Sequence, residues 1–160
     1  MTYTISNGIL TVTFNTLGGT FASIKNAAGR EYLWQPDPAF WGGQAPICFP
    51  ICGSLRNNTA VTIEGKTLAM PRHGIVKDRE FEMAAQTEDS ITFRLTADDQ
   101  LKEKYPYDFS FETSYKLDGN KICITYRVNN LGDVKVSKLS QGEIRRNMIN
   151  WQNMKHSDED

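Results

Sequence analysis

The sequence predicts a mainly β protein, an antiparallel β-sandwich, and three observations carry that expectation. Apolar residues alternate with others in short runs, most plainly Phe109, Phe111, Thr113, Tyr115 and Leu117, then Ile122, Ile124, Tyr126 and Val128. Such alternation marks strands with one buried face. Turn residues recur about every eight to twelve positions, the spacing of sandwiches and barrels. With 160 residues, 39% hydrophobic and 11% aromatic, the chain holds enough apolar material for one core, without the charge excess of a disordered chain.

The first hairpin is expected at 3–6 and 9–14, joined by a tight primed turn at Asn7-Gly8, with Leu10, Val12 and Phe14 on one face and Thr11 and Thr13 on the other. Leu17-Gly18-Gly19 interrupts the pattern, 21–24 resumes it, 26–29 turns, and 31–34 reads as a further strand. Pro36 and Pro38 remove ladder donors, so 35–41 is a loop packed by its aromatics. Hairpins follow at 59–63 with 66–70 and at 80–86 with 90–96. Asp98 can cap one or two helical turns that Pro106 stops. The clearest hairpin, 109–117 with 122–128, turns at Asp118-Gly119. Beyond residue 133 the character changes. Ser140-Gln141-Gly142-Glu143 has capping-box form and Ile144, Met148 and Trp151 share a helix face, so a short C-terminal helix is expected at 141–154. The domain is therefore expected at 1–133, with 134–160 as a separate tail.

Composition removes several function classes. A formal net charge of −1 leaves no basic face for phosphate neutralisation, so no nucleic-acid partner is expected. Residues 1–6 lack a basic region followed by an apolar run, and no later stretch approaches a membrane span; a cytoplasmic protein with no membrane partner is expected. The cysteine count is odd at 3, and Cys48-x-x-x-Cys52 has no second ligand pair at zinc-site spacing, so the thiols read as reduced and partly buried. Dinucleotide-loop, phosphate-loop and nucleophile-elbow motifs are absent; no cofactor or metal is expected.

Candidate chemistry concentrates between residues 46 and 79. Pro46 and Pro50 bracket an apolar run, Gly53-Ser54-Leu55 leads to Arg56, and His73 stands beside Gly74 among Arg72, Lys77, Asp78 and Arg79. His73 is either a site residue or a hydrogen-bonded structural histidine, since imidazole alone titrates near neutrality. Arg56, in a Gly/Asn-rich turn, is either a donor to a polyhydroxyl or anionic ligand or a solvated surface side chain. Trp34, Phe40 and Trp41 could stack on a sugar ring or close the edge of the core. The basic residues near His73 could admit a phosphorylated hexose or form a solvated patch. A Cys-His nucleophile built from Cys48 or Cys52 has no local signature.

Several stretches together resemble the aldose 1-epimerase, or galactose mutarotase-like, family. They are 9–14 with 17–24, 29–34, Pro46-Ile47-Cys48-Phe49-Pro50, Gly53-Ser54-Leu55-Arg56, Arg72-His73-Gly74 with 78–81, and Tyr105-Pro106-Tyr107-Asp108-Phe109. The resemblance runs in order over residues 1–133. It implies a β-supersandwich, of which this sandwich is part, and an isomerase that interconverts the α and β anomers of a hexose in carbohydrate metabolism. It also implies that His73 is the sugar-polarising histidine and that Arg56, with Asn57 beside it, binds the sugar. The family's second histidine and its catalytic glutamate have no counterpart here, because family members run to about twice this length, and an altered or truncated gene fits the break after 133. The rival readings are a non-catalytic carbohydrate-binding remnant and a module that dimerises through the uncovered sheet. The helix at 141–154 is expected to cover part of that sheet.

Overall fold

The computed structural model describes residues 1–62 and 65–132. The helix expected at 141–154, its packing on the sheet and the tail lie outside those residues.

The chain opens with β1 (Thr2–Ser6), β2 (Leu10–Asn15) and β3 (Thr20–Asn26), an antiparallel sheet in that order. The turn after β1 is held by Asn7, whose Oδ1 accepts from the amides of Ile9 and Leu10 at 3.1 and 2.9 Å, and Gly8 takes φ 82°. Leu10, Val12 and Phe14 face inward and are buried, while Thr13 meets Thr4 across the outer face at 3.1 Å. A two-stranded ribbon, β4 (Thr59–Val61) with β5 (Thr67–Ala69), follows. The second large sheet is β6 (Glu82–Gln86), β7 (Ser90–Thr96), β8 (Phe109–Asp118) and β9 (Lys121–Asn130), antiparallel throughout. Between β7 and β8 lies α1 (Asp99–Lys104), capped by Asp98, whose Oδ1 accepts from the Leu101 amide at 2.8 Å.

Aromatic side chains join the inner faces of the two sheets. Phe14 on β2 packs on Tyr115 of β8 at 4.6 Å between ring centres and on Phe93 of β7 at 5.8 Å; Phe21 of β3 meets Tyr115 edge-on at 4.7 Å. Phe14, Phe93 and Tyr115 are each at most 1% exposed, and burying such a ring is worth roughly 1.5–3 kcal/mol. The Tyr115 hydroxyl donates to the Gly19 carbonyl at 2.8 Å, so its one polar atom is satisfied.

Three sequence expectations need correction. Residues 31–34 form no strand. Glu31 makes one isolated bridge with Lys25, and its carboxylate accepts from the amides of Ile24 and Leu33 at 2.8 and 2.9 Å, groups that a ladder would have used. The 35–41 loop is only partly packed by its aromatics, because Phe40 is 82% exposed. The β8–β9 hairpin is not half-buried along its whole length. Ser110 and Glu112, on the outer face of β8, are buried as well; Arg94 and Arg127 reach Glu112 from either neighbouring strand, and the Asn129 amide donates to Ser110.

Candidate functional site

The stretch between β3 and β6 is mostly irregular, and backbone bonds rather than a sheet fix it. The Phe49 amide donates to the His73 carbonyl at 3.3 Å, and the Ile75 amide donates to the Phe49 carbonyl at 2.7 Å, giving a parallel bridge between Phe49 and Gly74. A Cβ on Gly74, at φ 80°, would stand 1.9 Å from the Phe49 oxygen, so only glycine allows this approach. The bond between Phe49 and Pro50 is cis.

A second tie sits at His73 itself. Its amide donates to the Gly53 carbonyl at 2.8 Å, and the Gly53 amide donates to its Nδ1 at 3.0 Å. His73 adopts φ 67°, left-handed for a residue that normally avoids it, and this reciprocal pair holds it there. A third tie runs from the Met70 amide to the Asn58 carbonyl at 2.7 Å. Arg56 and Asn57 lie between the second and third ties, in a single 3-10 turn at Arg56–Asn58, with Asn57 and Asn58 at φ 57° and 51°. The three residues singled out from the sequence, Arg56, Asn57 and His73, thus share one bracket of backbone.

Arg56 and Asn57 are exposed, and neither side chain has a hydrogen-bond or ion-pair partner among the described residues. His73 is half-buried. Burial first, then the nearby cations Arg72 and Lys77, hold its imidazole below the usual histidine range. It is therefore neutral at neutral pH, with one acceptor nitrogen. The Arg72 Nε lies 3.1 Å from Nε2. Only one of the two ring nitrogens can accept, and the Gly53 amide is fixed by backbone whereas Arg72 is exposed. We assign the acceptor to Nδ1 and the proton to Nε2, so the exposed Arg72 side chain, whose Nε is itself a donor, must swing away for Nε2 to donate to a ligand.

The bracket also gathers Cys48 and Cys52. Their sulfurs and a His73 ring nitrogen lie within 4.8 Å of one another, a grouping that sequence spacing missed because the histidine follows an intervening hairpin. Burial, then Cys52, pushes the Cys48 thiol up to about 12, so it is protonated at neutral pH. Burial, then Cys48, likewise pushes the Tyr126 phenol of β9 up to about 12.

The Trp34–Trp41 cluster is fixed within its own loop: Trp34 Nε1 donates to the Trp41 carbonyl at 3.1 Å, and Gln44 donates to the carbonyls of Trp34 and Ala22. Arg79 is also occupied, pairing with Asp98 and donating to Gln100.

The family model described as aldose 1-epimerase matches residues 1–141. Among curated proteins, the chain is 44% identical over 135 residues to plasmid and chromosomal protein LacX of Lactococcus lactis subsp. lactis, covering 82% of this chain and 45% of each relative. Among solved structures, it resembles a galactose mutarotase related enzyme from Lactobacillus acidophilus (36% identity, TM-score 0.80, covering 83% of this chain and 44% of that one). A galactose mutarotase-like protein from Lactobacillus casei is similar at 27% identity and TM-score 0.77, over 81% of this chain and 44% of that one. The chain thus spans less than half the length of these relatives.

Proposed function

The chain belongs to the aldose 1-epimerase family, and from that premise we propose that the bracket around His73 is the sugar-holding part of a site that interconverts the α and β anomers of a free hexose. In this reaction a carboxylate removes the proton from the C1 hydroxyl while an acid protonates the ring oxygen. The bond between C1 and the ring oxygen opens to an aldehyde, the carbonyl end rotates, and the ring closes on its other face. His73 takes the holding role by donating from Nε2 to a sugar oxygen, and Arg56, with Asn57 beside it, contributes donors to hydroxyls. The observation that carries the reading is the left-handed His73, locked to Gly53 through its Nδ1. A neutral donor suits an uncharged polyhydroxyl ligand, and strained backbone of this kind clusters at ligand-binding positions.

A second reading, kept because the chain spans less than half the length of its relatives, is a carbohydrate-binding protein without anomer exchange. Both are tested by NMR exchange between the anomers of glucose and galactose, alongside saturation-transfer binding, for the wild-type chain and His73→Asn. Asparagine tolerates the left-handed backbone while removing the imidazole. Acceleration that falls by about 10²-fold or more in the variant supports the epimerase reading. Binding without acceleration supports the second reading, and neither signal in a folded sample overturns both.

A further inference from the structure

We propose that Cys48, Cys52 and His73 form a three-ligand site for a thiophilic divalent cation, Zn2+ being the best match, with a fourth position left to water. Two sulfurs and one imidazole nitrogen are a donor set that zinc takes tetrahedrally, and three protein ligands with an open fourth position are a known zinc arrangement. With zinc–sulfur and zinc–nitrogen bonds of about 2.3 and 2.0 Å, tetrahedral donors stand roughly 3.5–3.8 Å apart. The three donors here already lie within 4.8 Å of one another, so side-chain movements of about 1 Å close the set.

The backbone holds those donors in place. Cys48 precedes Phe49, whose amide and carbonyl are both bonded into the 73–75 segment, and Cys52 precedes Gly53, whose carbonyl accepts from the His73 amide, a bond that metal binding leaves intact. Each cysteine is thus one residue from a tie to the histidine's own segment, an arrangement that limits the reorganisation a ligand requires. Arg72 and Lys77 beside His73 oppose an added positive charge, and burial of Cys48 opposes its thiolate; the two thiolates formed on binding neutralise the ion itself, and Lys77 offsets a small part of the burial cost at Cys48. Coordination displaces the Gly53 amide from Nδ1 or turns the ring, a loss of about tenfold in affinity for one exchanged hydrogen bond. Both thiols must release protons as the ion binds, so affinity rises with pH.

The test uses the full-length chain, metal-free and kept reduced by a phosphine, titrated with Co2+ as a spectroscopic probe and then with Zn2+ in competition. One equivalent of Co2+ is expected to give a thiolate-to-metal band in the near ultraviolet and the visible bands of a tetrahedral ion, both erased by Zn2+. Cys48→Ser, Cys52→Ser and His73→Asn should each weaken binding by at least about a hundredfold, beyond the roughly 10–100-fold of outer-sphere changes. Cys123→Ser and His156→Ala should leave it unchanged. Cys52 is exposed, so its serine variant is expected to fold even where a change at half-buried Cys48 does not. Absence of the thiolate band, or a band that survives Cys52→Ser or His73→Asn in folded protein, overturns the proposal. The titration is read without sugar, so its outcome is independent of anomer exchange.

Discussion

The aromatic core between the sheets and the bracket around His73 are both rigid, for opposite reasons. In the core, side chains do the fixing: Phe14, Phe93 and Tyr115 interlock over a backbone that is regular ladder between β7 and β8 and is broken between β2 and β3 only by one register shift at Thr13/Phe14. In the bracket the backbone does the fixing. Amides and carbonyls at 49, 53, 58, 70, 73 and 75 pair across an irregular path that includes left-handed Asn57, Asn58 and His73 and the close pass at Gly74. A core of the first kind tolerates exchange of one apolar residue for another. The second kind tolerates almost no change at its crossing points but leaves the side chains of Arg56 and Asn57 exposed to solvent.

Gly74→Ala gives the largest expected effect. The added Cβ cannot be housed without parting Phe49 from Gly74, so a loss of about 5 kcal/mol is expected in denaturant unfolding, together with both the sugar and the Co2+ signals. A variant that melts within a few degrees of wild type would break the comparison. Phe14→Ala should lose about 4 kcal/mol through cavity formation, yet the protein that remains folded should still bind Co2+. Arg56→Ala should reverse the pattern. Stability changes by less than about 0.5 kcal/mol, while hexose binding read by saturation transfer weakens by about tenfold for one lost charged donor.

The smallest effect concerns Glu31. Burial raises its pKa, but hydrogen bonds from Ser23, Ile24 and Leu33 outweigh burial and leave it below the usual 4.5. A carboxylate lowered in the folded state adds stability above its unfolded pKa and loses it as pH falls through the folded value. The melting-temperature gap between wild type and Glu31→Gln should therefore be full at neutral pH and shrink below about 4.5; a gap independent of pH would show that the carboxylate charge is not what holds the loop.

The same contrast explains what could be read from the sequence. The strands at 9–14, 90–96 and 109–117 are legible because apolar side chains recur there with a two-residue period, although β8 is buried on both faces from 109 to 113, and α1 because Asp98 and Pro106 mark its ends. Residues 31–34 misled because they have strand composition, while the deciding feature is a side chain taking over backbone bonds, which periodicity does not encode. Turn chemistry and family resemblance point to Arg56, Asn57 and His73, but their common bracket is not visible in the sequence, because it depends on pairings such as Asn58 with Met70 across a hairpin. Cys48 and Cys52 carry no metal signature in the sequence because no second ligand pair stands at zinc-site spacing, and the fold is what puts both sulfurs and a His73 nitrogen within 4.8 Å of one another.

The ties at Phe49, Gly53, His73 and Ile75 also bear on time. Their four amides all span the same two segments, so none can open far without the others. Their deuterium exchange should proceed at a common rate, as one cooperative unit, while the amides of exposed turns exchange independently. Exchange at one common rate would mean that a ligand meets two states of this surface, assembled and open, and that its arrival rate follows how long each lasts rather than residue-by-residue adjustment.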